Sequence, residues 1–189
     1  MNSAVLPTCV ENTCTQCGVC SYSICGALVG DELVELDRMA KRAVFGPKEA
    51  LFSQSEPSTR IFNISEGVVR IYKLLPDGRR QVIGFKLPGD FLGLTAADTH
   101  NLSADAIGHV AVCWFQKAAF MRFVDHKLPL LRRMNEFATR ELGLAQERML
   151  LLGRYSAEEK MASFIVNWRD RLARVDRSKD LIALPMSRR

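Results

Sequence analysis

Residues 65–93 read SEGVVRIYKLLPDGRRQVIGFKLPGDFLG, and their pattern decides the fold. Val68 to Leu74 and Gln81 to Lys86 are rich in β-forming side chains, and turn residues bound each run. Pro76-Asp77-Gly78 joins the two as a hairpin, because proline presets one turn dihedral and glycine accepts the left-handed one. Pro88-Gly89-Asp90 marks a second turn. The same punctuation continues outward. Ala50-Leu51-Phe52 and Ile61-Phe62-Asn63-Ile64 precede the hairpin, and Ala104 to Phe115 closes the series as one more strand. Short strands at this spacing predict an antiparallel sandwich or barrel.

Helical patterns flank the strands. Asp31-Glu32 open one, with Leu33, Leu36, Met39 and Ala40 on one face and Arg38, Lys41 and Arg42 at its basic end, and it stops at Gly46-Pro47. A short helix is expected over about Lys117 to Val124, and a long one from Leu130 to Leu152. In the long helix Leu131, Asn135, Ala138, Leu142, Ala145, Met149 and Leu152 alternate spacings of four and three, a heptad seam. Phe137, Leu144 and Leu151 form a second apolar stripe. One stripe suits the β-domain and the other suits a second copy of the chain, with Asn135 helping to fix register. Gly153 ends this helix, and Ser156 with Glu159 reads as a capping box for a last helix through Met161, Phe164, Ile165 and Trp168 to about Val175. Leu181-Ile182-Ala183-Leu184-Pro185 reads as one short strand without a partner, as though another domain began there.

The cysteines are as uneven as the strands are regular. Five of six lie between Cys9 and Cys25, and the sixth, Cys113, stands alone in HVAVCWFQ. Cys14 and Cys17, or Cys17 and Cys20, form Cys-x2-Cys pairs, which bring two sulfurs to one metal or one cluster edge. Residues 1–30 carry few apolar side chains besides the cysteines, so a bound metal would supply their ordering. Three readings stay open at this level. An iron–sulfur cluster readily takes three thiolates from one loop and one from afar, zinc usually wants a second close pair, and a redox pair would open a helix in a βαβ unit. Cys113 alone reads as a buried core thiol.

The chain has 189 residues, 48% of them hydrophobic and 25% charged, which suits one large domain or two small ones with a proper core. It has no apolar run of membrane-spanning length and no secretory leader, so a cytoplasmic location is expected, where thiols stay reduced. Net charge is +5, and from Arg154 onward nine Lys and Arg face five Asp and Glu, a basic end compatible with DNA or with a solvated helix face. No Ser/His/Asp set, paired carboxylates or phosphate loop argues for an enzyme. His100, His109 and His126 are scattered and read as surface or strand residues.

In order, a cysteine-rich start, a β-domain holding residues 65–93 and a long helix ending RMLLLGRYSAEEKMASFI resemble the CRP–FNR superfamily of bacterial transcription regulators. More narrowly the chain resembles the FNR-type oxygen sensors, the FnrN-like branch included. The specific features are Cys14-x2-Cys17-x7-Cys25 followed by Gly26-Ala27-Leu28, and the lone Cys113. The resemblance implies an α+β fold in four parts: a cysteine-rich iron–sulfur segment (1–30), an antiparallel β-barrel or jelly roll of the cyclic-nucleotide-binding type (31–125), a dimerisation helix (126–153) and the start of a winged-helix domain (154–189). It further implies that Cys14, Cys17, Cys25 and Cys113 ligate an oxygen-labile [4Fe–4S] cluster, with Cys20 as a possible alternate.

A homodimer, DNA and RNA polymerase are the implied partners, the DNA contact falling in a helix-turn-helix domain mostly absent from these residues. A cyclic nucleotide is not expected. The stretch PGDFLGLTAADTHNLSADAIG has neither the Gly-Glu pair nor the arginine that would hold its phosphate. Two other readings remain: a cyclic-nucleotide-type module whose cysteines hold zinc, and a heterodimerising inhibitor of longer homologues.

Overall fold

The structure is a computed structural model that describes residues 13–175 and Leu184. Cys9 and the strand expected at Leu181-Ile182-Ala183 lie outside the described residues. Eight strands form two four-stranded antiparallel sheets. β1 (Lys41–Phe45), β8 (Val110–Gln116), β3 (Arg60–Glu66) and β6 (Phe91–Leu92) make one, in the order β1-β8-β3-β6. β2 (Ala50–Phe52), β7 (Ser103–Ala106), β4 (Val69–Leu74) and β5 (Arg80–Lys86) make the other, in the order β2-β7-β4-β5. Apart from the β4–β5 hairpin, neighbours in each sheet come from distant parts of the chain, which is the jelly-roll way of closing a double sheet. The 76–78 turn joins β4 to β5 as expected, with Gly78 N–H donating to the Leu75 carbonyl at 2.9 Å.

Two expectations need correction. The helical pattern from Asp31 does not run to Gly46: α1 (Asp31–Met39) ends there, and residues 41–45 are strand β1. Lys41 and Arg42 fit a helix end in sequence, but pairing with β8 overrides that local preference. Ala104 to Phe115 is not one strand either, because a bend at residues 107–109 splits it between the two sheets.

Alternation along the strands separates two cores. Phe62, Ile64, Val110 and Val112 of the first sheet meet Val69, Ile71, Ala104 and Ala106 of the second, filling the space between them. The opposite face of the first sheet carries Ile61, Cys113 and Phe115. It is covered by the N-terminal segment, α1, α2 (Lys117–Asp125) and the start of α3 (Leu128–Arg154). Ile24, Leu36, Phe120 and Leu130 have no exposed surface in that cluster. Each such burial is worth about 1.5–3 kcal/mol, so these side chains clamp the cysteine segment to the sheet.

A third cluster docks α4 (Ala157–Val175) on β5, with Trp168 buried against Phe85 and Leu87. The capping box is present: Glu159 N–H donates to Ser156 Oγ at 3.2 Å and Ser156 N–H to Glu159 Oε2 at 2.7 Å. The long helix passes one residue beyond Gly153 before it stops.

Candidate functional site: a thiol centre on the outer sheet face

Residues 13–28 wind through three short 3-10 turns, which is what places their sulfurs. Cys14 opens the first, Cys20 the second, and Cys25 lies in the third. Ser23 ties the last two together, its hydroxyl donating to the Cys20 carbonyl at 3.1 Å and accepting from Cys25 N–H at 3.2 Å. Gly26 follows Cys25 because a Cβ there would stand 2.7 Å from the Ser21 carbonyl oxygen. Gly89, at φ +87°, lies under the Tyr22 ring, where a Cβ would come within 2.5 Å of it, so the 88–90 turn and the cysteine segment fit face to face.

Cys14, Cys25 and Cys113 are buried, while Cys17 and Cys20 are half-buried. All five are thiols, and Cys25 and Cys113 belong to the same packed cluster. Burial pushes the Cys14 thiol above its ordinary range, and Asp37 and the Cys25 and Cys113 sulfurs add to that. Burial likewise pushes Cys25 up to about 12, against the Ser23 hydroxyl and reinforced by Cys20, Cys17 and Cys113. Cys20 is raised by burial and by Cys17. Neighbouring sulfurs thus disfavour ionisation of Cys14, Cys20 and Cys25. A cation among them would reverse that, since metal-bound thiols are held as thiolates.

Among the described residues no three Cys, His, Asp or Glu side chains are grouped so as to hold a single metal ion. The sulfurs are gathered without being closed around one point. As a donor set, thiolates from one loop plus one from a strand fit an iron–sulfur cluster, with Cys14, Cys17, Cys25 and Cys113 available and Cys20 beside them.

The strand ladder sets what surrounds Cys113. Across the sheet, Arg42 of β1 pairs with Cys113, and Cys113 pairs with Asn63 of β3, which in turn pairs with Phe91 of β6. Directly paired residues project to the same face, so these four form one row. Asn63 Nδ2 points at Cys25 Sγ, 4.0 Å away. At the near edge Asp37 accepts from Cys14 N–H at 2.9 Å and from Arg42 Nη2 at 2.5 Å. Burial disfavours the Asp37 carboxylate, but these donors outweigh it and hold its pKa below the usual range. Asp37, Arg42 and Asn63 were not read from the sequence as site residues. The signal for Asn63 was a carboxamide inside the apolar run IFNI.

The expected seam lies on the other side of α3. Leu131, Asn135, Ala138, Leu142 and Met149 are exposed and Ala145 is half-buried, whereas Leu130 and Met134 face the thiol cluster. The Leu152 side chain is outside the described residues.

A cavity of about 360 Å³ opens between α3 and the two sheets, lined by Phe85, Leu92, Leu102, Phe137 and Glu141 among others. No arginine reaches it from residues 87–102. One arrives instead from α3, as Arg148 Nη1 stands 3.4 Å from the Ile83 carbonyl. His100 is neither a surface nor a strand residue: it is buried and stacked on Phe52 with ring centroids 4.0 Å apart. His109 and His126 are exposed.

Comparison with known proteins agrees with the architecture. A model of the cyclic nucleotide-binding domain matches residues 42–127. The transcriptional activatory protein AadR of Rhodopseudomonas palustris is 52% identical over 96% of this chain and 76% of its own length. The nitrogen fixation regulation protein FixK of Bradyrhizobium diazoefficiens is 49% identical over 93% of this chain and 74% of its own. The structure of FixK2 from Bradyrhizobium japonicum superposes with a TM-score of 0.71 at 34% identity, covering 78% of this chain and 73% of that one. The chain belongs to the CRP–FNR family of regulators, among the relatives of FixK and the FNR-type activators.

Proposed function

We propose that this chain is the sensory and dimerisation region of a non-enzymatic, oxygen-responsive transcription regulator in which Cys14, Cys17, Cys25 and Cys113 hold a [4Fe–4S] cluster. The observation that carries this reading is the meeting of Cys25 and Cys113, from two distant parts of the chain, in one packed cluster, with buried Cys14 held by Asp37 at the end of α1. The family's regulators supply the second support, since AadR is named a transcriptional activatory protein.

When bound, the cluster would supply positive charge for four thiolates and a bond set that oxygen can destroy. The chain's own residues do the rest. Ile24, Cys25 and Leu28 share their packing with Leu130 and Met134 on the inner face of α3. An ordered cysteine segment thus fixes the rotation and seating of α3, while a loosened one frees it. Leu131, Asn135, Ala138, Leu142, Ala145 and Met149, on the outer side, would pair with a second copy. The two alanines leave this seam thin, with little burial in excess, so a small loss of order on the inner face is felt as loss of dimer. DNA and RNA polymerase would be the partners of the active dimer in the cytoplasm. The cavity beside α3 is not expected to take a cyclic nucleotide.

Metal analysis of serine variants made under nitrogen tests the ligand set. Cys14→Ser, Cys17→Ser, Cys25→Ser and Cys113→Ser should each lose iron and acid-labile sulfide, whereas Cys20→Ser should keep both. Full iron content in Cys113→Ser would overturn the assignment.

A further inference from the structure

Asn63 is 2% exposed, and its Oδ1 is buried without a hydrogen-bond partner among the described residues. Buried amides almost always satisfy both ends, so this one needs a reason. Its neighbours in β3, Ile61, Phe62 and Ile64, are apolar, and filling the row would require only another apolar side chain. Instead the amide faces sulfur: Nδ2 is directed at Cys25 Sγ, and Cys113 is its partner directly across the ladder.

We propose that Asn63 is a positioning residue of the thiol centre, its amide N–H directed at Cys25 Sγ and orienting that sulfur. This rests on the cluster reading above. A thiolate has no proton to give, so a carboxamide beside it can serve it only as a donor. Hydrogen bonds to ligating sulfurs draw charge from them, raise the reduction potential of a cluster and strengthen its hold on the ligand. Asn63 sits where one side chain can serve the cysteine of the loop while it flanks the cysteine of the strand. It thereby links the two halves of the ligand set, which are separated by 87 residues between Cys25 and Cys113 in sequence.

The test compares wild type, Asn63→Leu and Asn63→Asp, each purified under nitrogen. Asn63→Leu removes the orphaned oxygen along with the donor and should leave thermal stability of the cluster-free protein unchanged or higher. In the loaded protein it should lower the midpoint potential and speed bleaching in air several-fold. Asn63→Asp keeps the shape, lacks the N–H and adds like charge, so it should load poorly. Wild-type potential and bleaching rate in a fully loaded Asn63→Leu protein would overturn the role of Asn63 and leave the cluster intact. A wild type without iron and sulfide would overturn the cluster reading itself.

Discussion

Arg42 stands directly opposite Cys113 in the β1–β8 ladder and closes on Asp37, which in turn holds the Cys14 backbone N–H. One cation therefore connects the strand cysteine to the first cysteine of the loop. Arg42→Leu should leave Asp37 half-buried without its cation and loosen the start of the cysteine segment. The expected cost is about 1–2 kcal/mol, in line with a partly exposed charged hydrogen bond, read as a lower urea midpoint. An unchanged midpoint would mean that the contact contributes nothing.

Aromatic burial and the Arg171–Asp90 ion pair help to hold the last helix. Trp168 lies edge-on to Phe85 with centroids 5.6 Å apart, and Arg171 reaches Asp90 at 2.7 Å and the Phe85 carbonyl at 3.0 Å. Trp168→Ala should cost roughly 3–5 kcal/mol of docking free energy. Limited proteolysis should then cut between α3 and α4 while β1–β8 stay folded. Resistance to cleavage would show that α4 does not depend on this cluster.

Leu142 and Met149, one heptad apart on α3, are 59% and 70% exposed, so a second copy covering the seam would bury both. Leu142→Glu should give a folded monomer in sedimentation, with an unchanged β-sheet signature by circular dichroism. A dimer that survives both Leu142→Glu and Met149→Glu would place the interface elsewhere.

His100 is buried on Phe52, and burial lowers its pKa from the ordinary 6.5. The unfolded chain then binds a proton that the folded one refuses, so His100 favours folding above pH about 6.5 and that contribution is lost as pH falls through the folded pKa. Urea midpoints should decline below about pH 6.5, and His100→Gln should flatten the decline. A slope unaffected by the substitution would assign it to other groups.

Much of the double sheet was legible because its strands carry β-forming side chains between proline and glycine turns, and the long helix because its apolar residues repeat in heptads. What failed was local. KRAVF reads as a helix end until β8 supplies its pairing partner, and no periodicity in residues 104–115 announces the bend that hands the chain from one sheet to the other. In the thiol centre, the cysteines were visible through their rarity and spacing. Asp37, Arg42 and Asn63 were not, because each acquires its role only from a partner distant in sequence or across a ladder. His100 was misread for the same reason, since the Phe52 face that buries it lies in another strand.

The central claim is that the gathered thiols hold an oxygen-labile cluster whose presence supports pairing of α3. Purification under nitrogen, followed by visible spectroscopy and sedimentation before and after admitting air, tests it most directly. The expected protein is brown and dimeric, with iron and acid-labile sulfide in equal amounts, and air bleaches it and shifts it toward monomer. A colourless protein carrying stoichiometric zinc, indifferent to air, would contradict it.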